Sequence, residues 1–176
     1  LYDWGADAVK IGLSMGKSCT TYNCTGVGTP MFSTVSSIAR KKFTKFVVKK
    51  HGGIAGEERE LSIPVIADGQ IREVGDVCKA LVAGADMVMI GSEFAKCEDS
   101  PAEIVGGPAF YNENKKVFFG SASSTNKGHN GYVEGQTVYL DMRNETYVEY
   151  FNRINQGIQS CMSYAGIKKI SELPIM

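Results

Sequence analysis

Three short apolar runs recur along the chain, each closed by glycine or Asp-Gly: Ala8 to Ile11 before Gly12, Ile63 to Ala67 before Asp68-Gly69, and Ala85 to Ile90 before Gly91. Runs of this length, rich in Val and Ile and bounded by glycine, read as β-strands. The first and third belong to an internal echo. Gly5-Ala6-Asp7-Ala8-Val9-Lys10-Ile11-Gly12 returns as Gly84-Ala85-Asp86-Met87-Val88-Met89-Ile90-Gly91, offset by 84 − 5 = 79 residues. Helical periods lie between the strands. Pro30 to about Lys50 places Phe32, Val35, Ile38, Phe43 and Val47 on one face, and Val74 to Gly84 carries Asp76 in its first turn, where a carboxylate suits the helix dipole. Strands alternating with helices are successive β/α units, so the pattern predicts an α/β fold with a parallel sheet. After Asp86 the third strand is wholly apolar, as expected when both of its faces are buried.

From Lys96 onward the texture changes. Cys97-Glu98-Asp99-Ser100-Pro101 has the form of a helix start, and Phe110 to Phe119 around Asn112-Glu113-Asn114 reads as a hairpin. Gly120 to Gly135 has no apolar period and reads as a loop or flap. A closing helix is expected over about Glu145 to Ala165, with Tyr147, Val148, Phe151, Ile154, Ile158 and Cys161 forming a core-facing stripe. His51 to Glu60, rich in glycine and charge, reads as a mobile extension.

Charge and cysteine usage narrow the classes. Nineteen basic against nineteen acidic residues leave a net charge of zero, with no electrostatic footprint for nucleic acid or an anionic membrane. The basic cluster from Arg40 to Lys50 reads as a solvated helix face. Five cysteines without C-x-x-C spacing argue against a disulfide framework and against a zinc or other metal site, and suit a reducing, cytoplasmic setting. No run of about 18 apolar residues exists to span a membrane. A complete eight-fold β/α barrel usually needs about 200 to 250 residues or more. At 176 residues, opening at Leu1 within an apparent helix end, a partial chain is expected.

The chemistry gathers at the strand ends, the edge where parallel α/β folds bind ligands. Residues 12–28 form a glycine-rich loop in which Cys19 lies among hydroxyls and near Lys17, whose charge favours a thiolate. Taken alone, the loop fits a surface turn with an idle thiol as well as it fits an active site. Asp68, taken alone, fits a helix-cap aspartate following a strand.

Four ordered blocks change that balance: Ile11 to Thr21, Ile66 to Gly69, Met89 to Ser92 and Phe119 to Ser123. Together they resemble the IMP dehydrogenase and GMP reductase family, over nearly the whole chain. The resemblance implies a (β/α)8 TIM barrel, of which residues 1–176 would be the C-terminal half: strands 6 to 8 and the final helix of a single catalytic domain, with 119–137 as an active-site flap. It implies that Cys19 is the nucleophile attacking C2 of a purine, a role suited to a thiolate near neutral pH. It further implies that Asp68 clamps the ribose hydroxyls, that Gly69, Gly91 and Ser92 cradle the 5′-phosphate, and that Ser121, Ala122 and Ser123 contact the base.

Val133-Glu134-Gly135-Gln136-Thr137 and Cys19-Thr20-Thr21 resemble the reductase branch more than the dehydrogenase branch, and Gly120 to Val133 lacks the Arg-Tyr pair of the latter. The implied activity is reductive deamination of GMP to IMP and ammonia with NADPH, Thr21 and Glu134 handling the ammonia, in a cytoplasmic homotetramer. The dehydrogenase reaction, IMP to XMP with NAD, is the alternative. A non-catalytic nucleotide-binding partial barrel is the alternative of another class. The chain departs from the family pattern at Ser14 and Gln70, where glycine is usual. Residues for the cofactor pocket are not assigned, since that pocket draws on earlier strands of the barrel.

Overall fold

The computed structural model describes residues 6–13, 16–39, 63–107, 113–129 and 131–173, and the backbone of 45–47 and 58–60. Its centre is a parallel sheet in the order β1 (Val9–Ile11), β4 (Val65–Asp68), β5 (Met87–Met89). The two halves of the sequence echo thus flank the middle strand. Ile11 pairs with Ala67 and Ala67 with Val88, so the three strands end at one level. Val65 and Ala67 are fully buried while Ile66 and Asp68 are half-buried, the alternation that a pleated strand imposes.

Helices α2 (Met31–Ala39) and α3 (Val74–Val82) pack against this sheet and deliver Val35, Val77 and Ala80 to a core shared with Ile11, Val65 and Ala67. Asp76 sits in the first turn of α3, as its sequence position suggests. Its Oδ2 accepts from the N–H of Arg72 and Glu73, both at 3.0 Å. Burial raises the Asp76 carboxyl, but the Lys79 ion pair at 2.7 Å and these two N–H groups outweigh it and leave the pKa lowered.

Several expectations are corrected. The helix expected to Lys50 stops at Ala39 among the described residues, and Lys45–Val47 forms strand β2, paired antiparallel with β3 (Glu58–Glu60) in the segment read as an extension. Phe46 and Val47 serve a strand as readily as a helix face, and short apolar runs do not distinguish the two. Residues 40–44 and 48–57 lie outside the described residues, and with them most of the basic cluster. On β5, Met87 and Met89 are 50% and 45% exposed rather than buried, because β5 hydrogen-bonds to β4 on one side only and is a sheet edge among the described residues.

The second half forms an antiparallel ribbon, β6 (Ile104–Val105), β7 (Lys115–Phe119) and β8 (Thr137–Asp141). Strand β7 supplies one arm of the expected hairpin, but its partner upstream is Ile104–Val105; residues 108–112 lie outside the described residues. The helix expected after Cys97-Glu98-Asp99-Ser100-Pro101 does not form. Cys97 is buried in the core, Ser100 Oγ accepts from the Ala102 N–H in a local turn, and Asp99 Oδ1 accepts from the Tyr147 N–H at 2.8 Å. The capping chemistry is present but serves a different helix.

That helix is α6 (Tyr147–Ala165), begun by reciprocal bonds between Thr146 and Glu149 and ended by Gly166 in the left-handed region. Only Tyr150 and Ile154 of α6 are fully buried. Tyr147, Val148 and Phe151 are exposed, which corrects the expectation of a core-facing stripe at those positions. Tyr147, Phe151, Ile154 and Ile158 instead line an open apolar groove of about 620 Å³ beside β5 and α3.

Candidate active site

Because the three parallel strands end in register, Gly12, Asp68-Gly69 and Ile90-Gly91 share one rim. Gly12 has φ +142°, and a side chain there would overlap the Asp68 carbonyl, so this glycine is what lets the chain after β1 pass close against β4. The Asp68 carboxylate forms an ion pair with Lys10, which points to the same face of the sheet. Beyond Gly91, the one-turn helix α4 (Ser92–Ala95) begins with a buried Ser92. Its neighbour Glu93, 2% exposed, pairs with Lys96 at 2.7 Å and Arg143 at 2.5 Å. The Arg143 guanidinium lies 4.3 Å from the centre of the Tyr150 ring. A buried carboxylate with two cations fixes this turn to the start of α6 and the end of β8.

The cysteine loop returns to the rim through a turn in which the Cys19 N–H donates to the Gly16 carbonyl at 3.1 Å, then enters the short helix α1 (Thr21–Thr25). The Cys19 thiol donates to Thr21 Oγ1 at 3.3 Å. The backbone on either side of Cys19 is held by residues 134–136: the Thr20 N–H donates to the Glu134 carbonyl at 2.9 Å, and the Gln136 N–H donates to the Ser18 carbonyl at 2.8 Å. Cys19 and Gly135 are thus opposite members of an antiparallel bridge, and Gly135 makes a second, parallel bridge with Ser123. A Cβ on Gly135 would lie 2.8 Å from both the Ala122 carbonyl carbon and the Ser123 nitrogen. Only glycine fits between the cysteine loop and the 121–123 turn.

Within that turn, Ser123 is fully buried and its hydroxyl is committed. It donates to the Gly120 carbonyl at 2.7 Å and accepts from the Asn126 N–H, capping helix α5 (Ser124–Lys127). This helix interrupts a segment expected to be loop throughout. Ser121 is exposed beside it and Ala122 is half-buried.

The structure therefore brings Cys19, Thr21, Glu134, Ala122 and Ser123 into one hydrogen-bonded cluster. Asp68 and Gly69 lie on the same rim as Gly12, from which the cysteine loop sets out. Gly91 is approached by β7, where a Cβ would stand 3.4 Å from Phe118 Cζ. Thr21 and Glu134 are neighbours by backbone, but the Thr21 hydroxyl accepts from the Cys19 thiol, and the Glu134 carboxylate lies near enough to Tyr132 to act on its phenol. Desolvation, then the Glu134 charge and the Cys24 thiol, raises the Tyr132 phenol. Sequence reasoning missed Lys10, Tyr132 and the double role of Gly135. Lys10 was detectable from strand alternation, since it shares a face with Asp68, whereas Gly135 meets Cys19 across more than 100 residues and the spacing of Tyr132 and Glu134 does not say which way either side chain turns. Ser14 lies outside the described residues.

Among the described residues, no group of three His, Cys, Asp or Glu side chains is placed to hold a metal, and no helix is long and apolar enough to cross a membrane.

Comparison with known proteins bears on the same residues. The profile of the IMP dehydrogenase / GMP reductase domain matches residues 1–175. The GMP reductase of Chromobacterium violaceum is 38% identical over 163 residues, covering 93% of this chain and 44% of that protein. The GMP reductase of Acidovorax sp. is 36% identical and that of Mesoplasma florum 35%, each over 173 residues, 98% of this chain and 47% and 48% of those proteins. The chain spans about half the length of the curated relatives it matches. A domain match over nearly every residue, together with these relatives, establishes that the chain belongs to the IMP dehydrogenase / GMP reductase family.

Proposed function

We propose that this chain contributes the nucleotide site of a GMP reductase, which converts GMP to IMP and ammonia. The observation that carries the reading is the Cys19 thiol in contact with the Thr21 hydroxyl, on a loop tied by two backbone bonds to the segment containing Glu134. In this reading Asp68 accepts the ribose hydroxyls, exchanging Lys10 for them, and Gly69, Gly91 and Ser92 present N–H groups and a hydroxyl to the 5′-phosphate. Ser121 to Ser123 border the base.

Cys19, as thiolate, adds to C2 of the purine. The C2 amino group leaves as ammonia, taking the proton it needs from the Thr21 hydroxyl, which Glu134 replenishes, and a purine thioimidate on Cys19 remains. Glu134 reaches Thr21 by a side-chain rotation with the backbone ladder intact. NADPH, when bound, supplies the hydride that reaches C2 and releases Cys19. The described rim residues are taken up by the nucleotide, and none of them is assigned to the dinucleotide.

We further propose that residues 1–176 are the C-terminal part of one (β/α)8 barrel domain, in which β1, β4 and β5 are strands 6 to 8, α6 is the final helix and 119–137 is the flap. The second edges of β1 and β5, unpaired among the described residues, and the apolar groove beside β5 support this reading, since such strands with uncovered apolar side chains call for further strands and helices. A cytoplasmic homotetramer is proposed with it.

The deciding experiment is a steady-state assay of the protein with GMP and NADPH against IMP and NAD. Oxidation of NADPH that depends on GMP and releases ammonia is expected; formation of XMP from IMP and NAD in its place would overturn the assignment.

A further inference from the structure

Helices α3 and α6 approach closely because Gly157 has no side chain: a Cβ there would overlap the Val74 side chain. One turn further along each helix stand Cys78 and Cys161. Val74 and Cys78 are four residues apart on α3, as are Gly157 and Cys161 on α6, so each pair lies on one helix face and the two rows run in the same direction. The Cys78 thiol donates to the Gly157 carbonyl oxygen at 3.7 Å, and the Cys161 thiol stands close enough to act on it electrostatically. Burial, reinforced by the neighbouring Cys161, pushes the Cys78 thiol up to about 11, which keeps Cys78 protonated and leaves the first attack on an oxidant to Cys161.

Both sulfurs are only half-buried, within reach of a small oxidant. Helix backbones packed through a glycine bring facing positions toward the Cα separation that a disulfide needs, about 4.4–6.8 Å. Neither residue belongs to the Cys19 rim.

We infer that Cys78 and Cys161 are a redox pair that closes into a reversible disulfide, fastening α3 to α6, when the protein meets a peroxide. The Cys161 sulfur attacks the peroxide O–O bond, becoming a sulfenic acid and releasing one water. The second thiol displaces the sulfenic oxygen as a second water, and the S–S bond forms. Two thiols thus give two electrons and two protons to hydrogen peroxide. The bond has a mechanical effect, because Val77 and Leu81 of α3 and Ile154 and Ile158 of α6 line the apolar groove beside β5, and the disulfide would fix the spacing of those two walls.

The test is to expose the fully reduced protein to hydrogen peroxide, block remaining thiols with a maleimide, and map digests by mass spectrometry without reduction. A peptide pair joined through Cys78 and Cys161, which dithiothreitol separates, is the expected product. The bond would close a loop spanning 161 − 78 = 83 positions and raise the thermal midpoint by about 5–10 °C, reversibly. Cys78→Ser and Cys161→Ser should each lose the cross-link and the shift. Sulfinic acid at either position without a cross-link, or maleimide on both after Cys19 or Cys24 has been oxidised, would overturn the inference. The wild-type map alone decides, so a variant that fails to fold leaves the test intact.

Discussion

The parallel sheet and the antiparallel ribbon contribute to the site in opposite ways. In the sheet, Val65 and Ala67 are sealed in the core and the residues that follow the strands are fixed by register, so Gly12, Asp68 and Gly91 stand where the backbone places them. In the ribbon, Ile104, Phe119 and Tyr139 are exposed, Leu140 and Lys116 are the buried members, and Lys115 bridges Glu113 and Asp141 at the surface. Burial makes the first region stiff, whereas the second depends on its attachment at Gly135. A rim that grips a ligand belongs on the stiff part. A proton donor that must change partners belongs on the adjustable one.

If this division holds, changes at the junction should be the most severe. Cys19→Ala should lower kcat by about 10⁴-fold or more while GMP affinity stays within about tenfold, because the sulfur acts in bond making rather than in ground-state binding; near-normal kcat would remove Cys19 from the chemistry. Glu134→Gln should follow with a loss of about 10²–10³ in deamination and a much smaller loss in hydride exchange between IMP and NADP. Equal losses in both half-reactions would assign Glu134 to holding the ribbon instead. Gly135→Ala tests the attachment itself: the 2.8 Å approach to Ala122 and Ser123 forces the two segments apart, and a drop of about 10–100-fold in kcat with a lower thermal midpoint is expected. An unchanged midpoint would show the junction to be loose.

Changes confined to the sheet and the helices packed on it should register in binding and stability. Asp68→Asn should raise KM for the nucleotide by about tenfold, or about 1.4 kcal/mol, with kcat little changed; a kcat effect without a KM effect would contradict the division. The smallest effect is expected at Asp76. Its carboxyl is lowered in the folded protein, so its stabilising share is present above the ordinary carboxylate pKa and is lost as pH falls through the lowered folded value. Solvent screening limits that share to a few tenths of a kcal/mol. Denaturant midpoints of wild type and Asp76→Asn should therefore differ at pH 6 and converge near pH 3, and a constant difference would assign the stabilisation to packing.

The parts legible in the sequence were those whose causes are local. β1, β4 and β5 are apolar runs ended by glycine, and α6 has its capping residues and its period within one segment. The errors arose where the deciding partner lies far along the chain. Asp99 caps α6 from 48 residues away, so its cluster looked like a helix start of its own. Met87 and Met89 are apolar enough for a central strand, and their exposure depends on what pairs with the other edge of β5. The blocks around Cys19, Asp68 and Gly91 marked the rim because strand-end chemistry is contiguous in sequence. Tyr132 beside Glu134 was hidden because nothing in Tyr132-Val133-Glu134 says which way either side chain turns.

Gln70 has one more consequence. It adopts φ +56°, the one positive φ among the described non-glycine residues, directly after Gly69. A side chain in that conformation costs about 1 kcal/mol relative to glycine. Glycine, however, would leave the unfolded chain freer and lose more entropy on folding, by a comparable amount. The two terms oppose each other, and at a positive φ the strain is the larger, so Gln70 is held at a small net cost that glycine would not carry. The Gln70 side chain borders a small recess with Met31, Phe32, Asp76 and Lys79, between α2 and α3. The turn after Asp68 thus keeps a glycine's path while carrying an amide, so that a little folding stability is given up to set a side chain in the wall behind the rim.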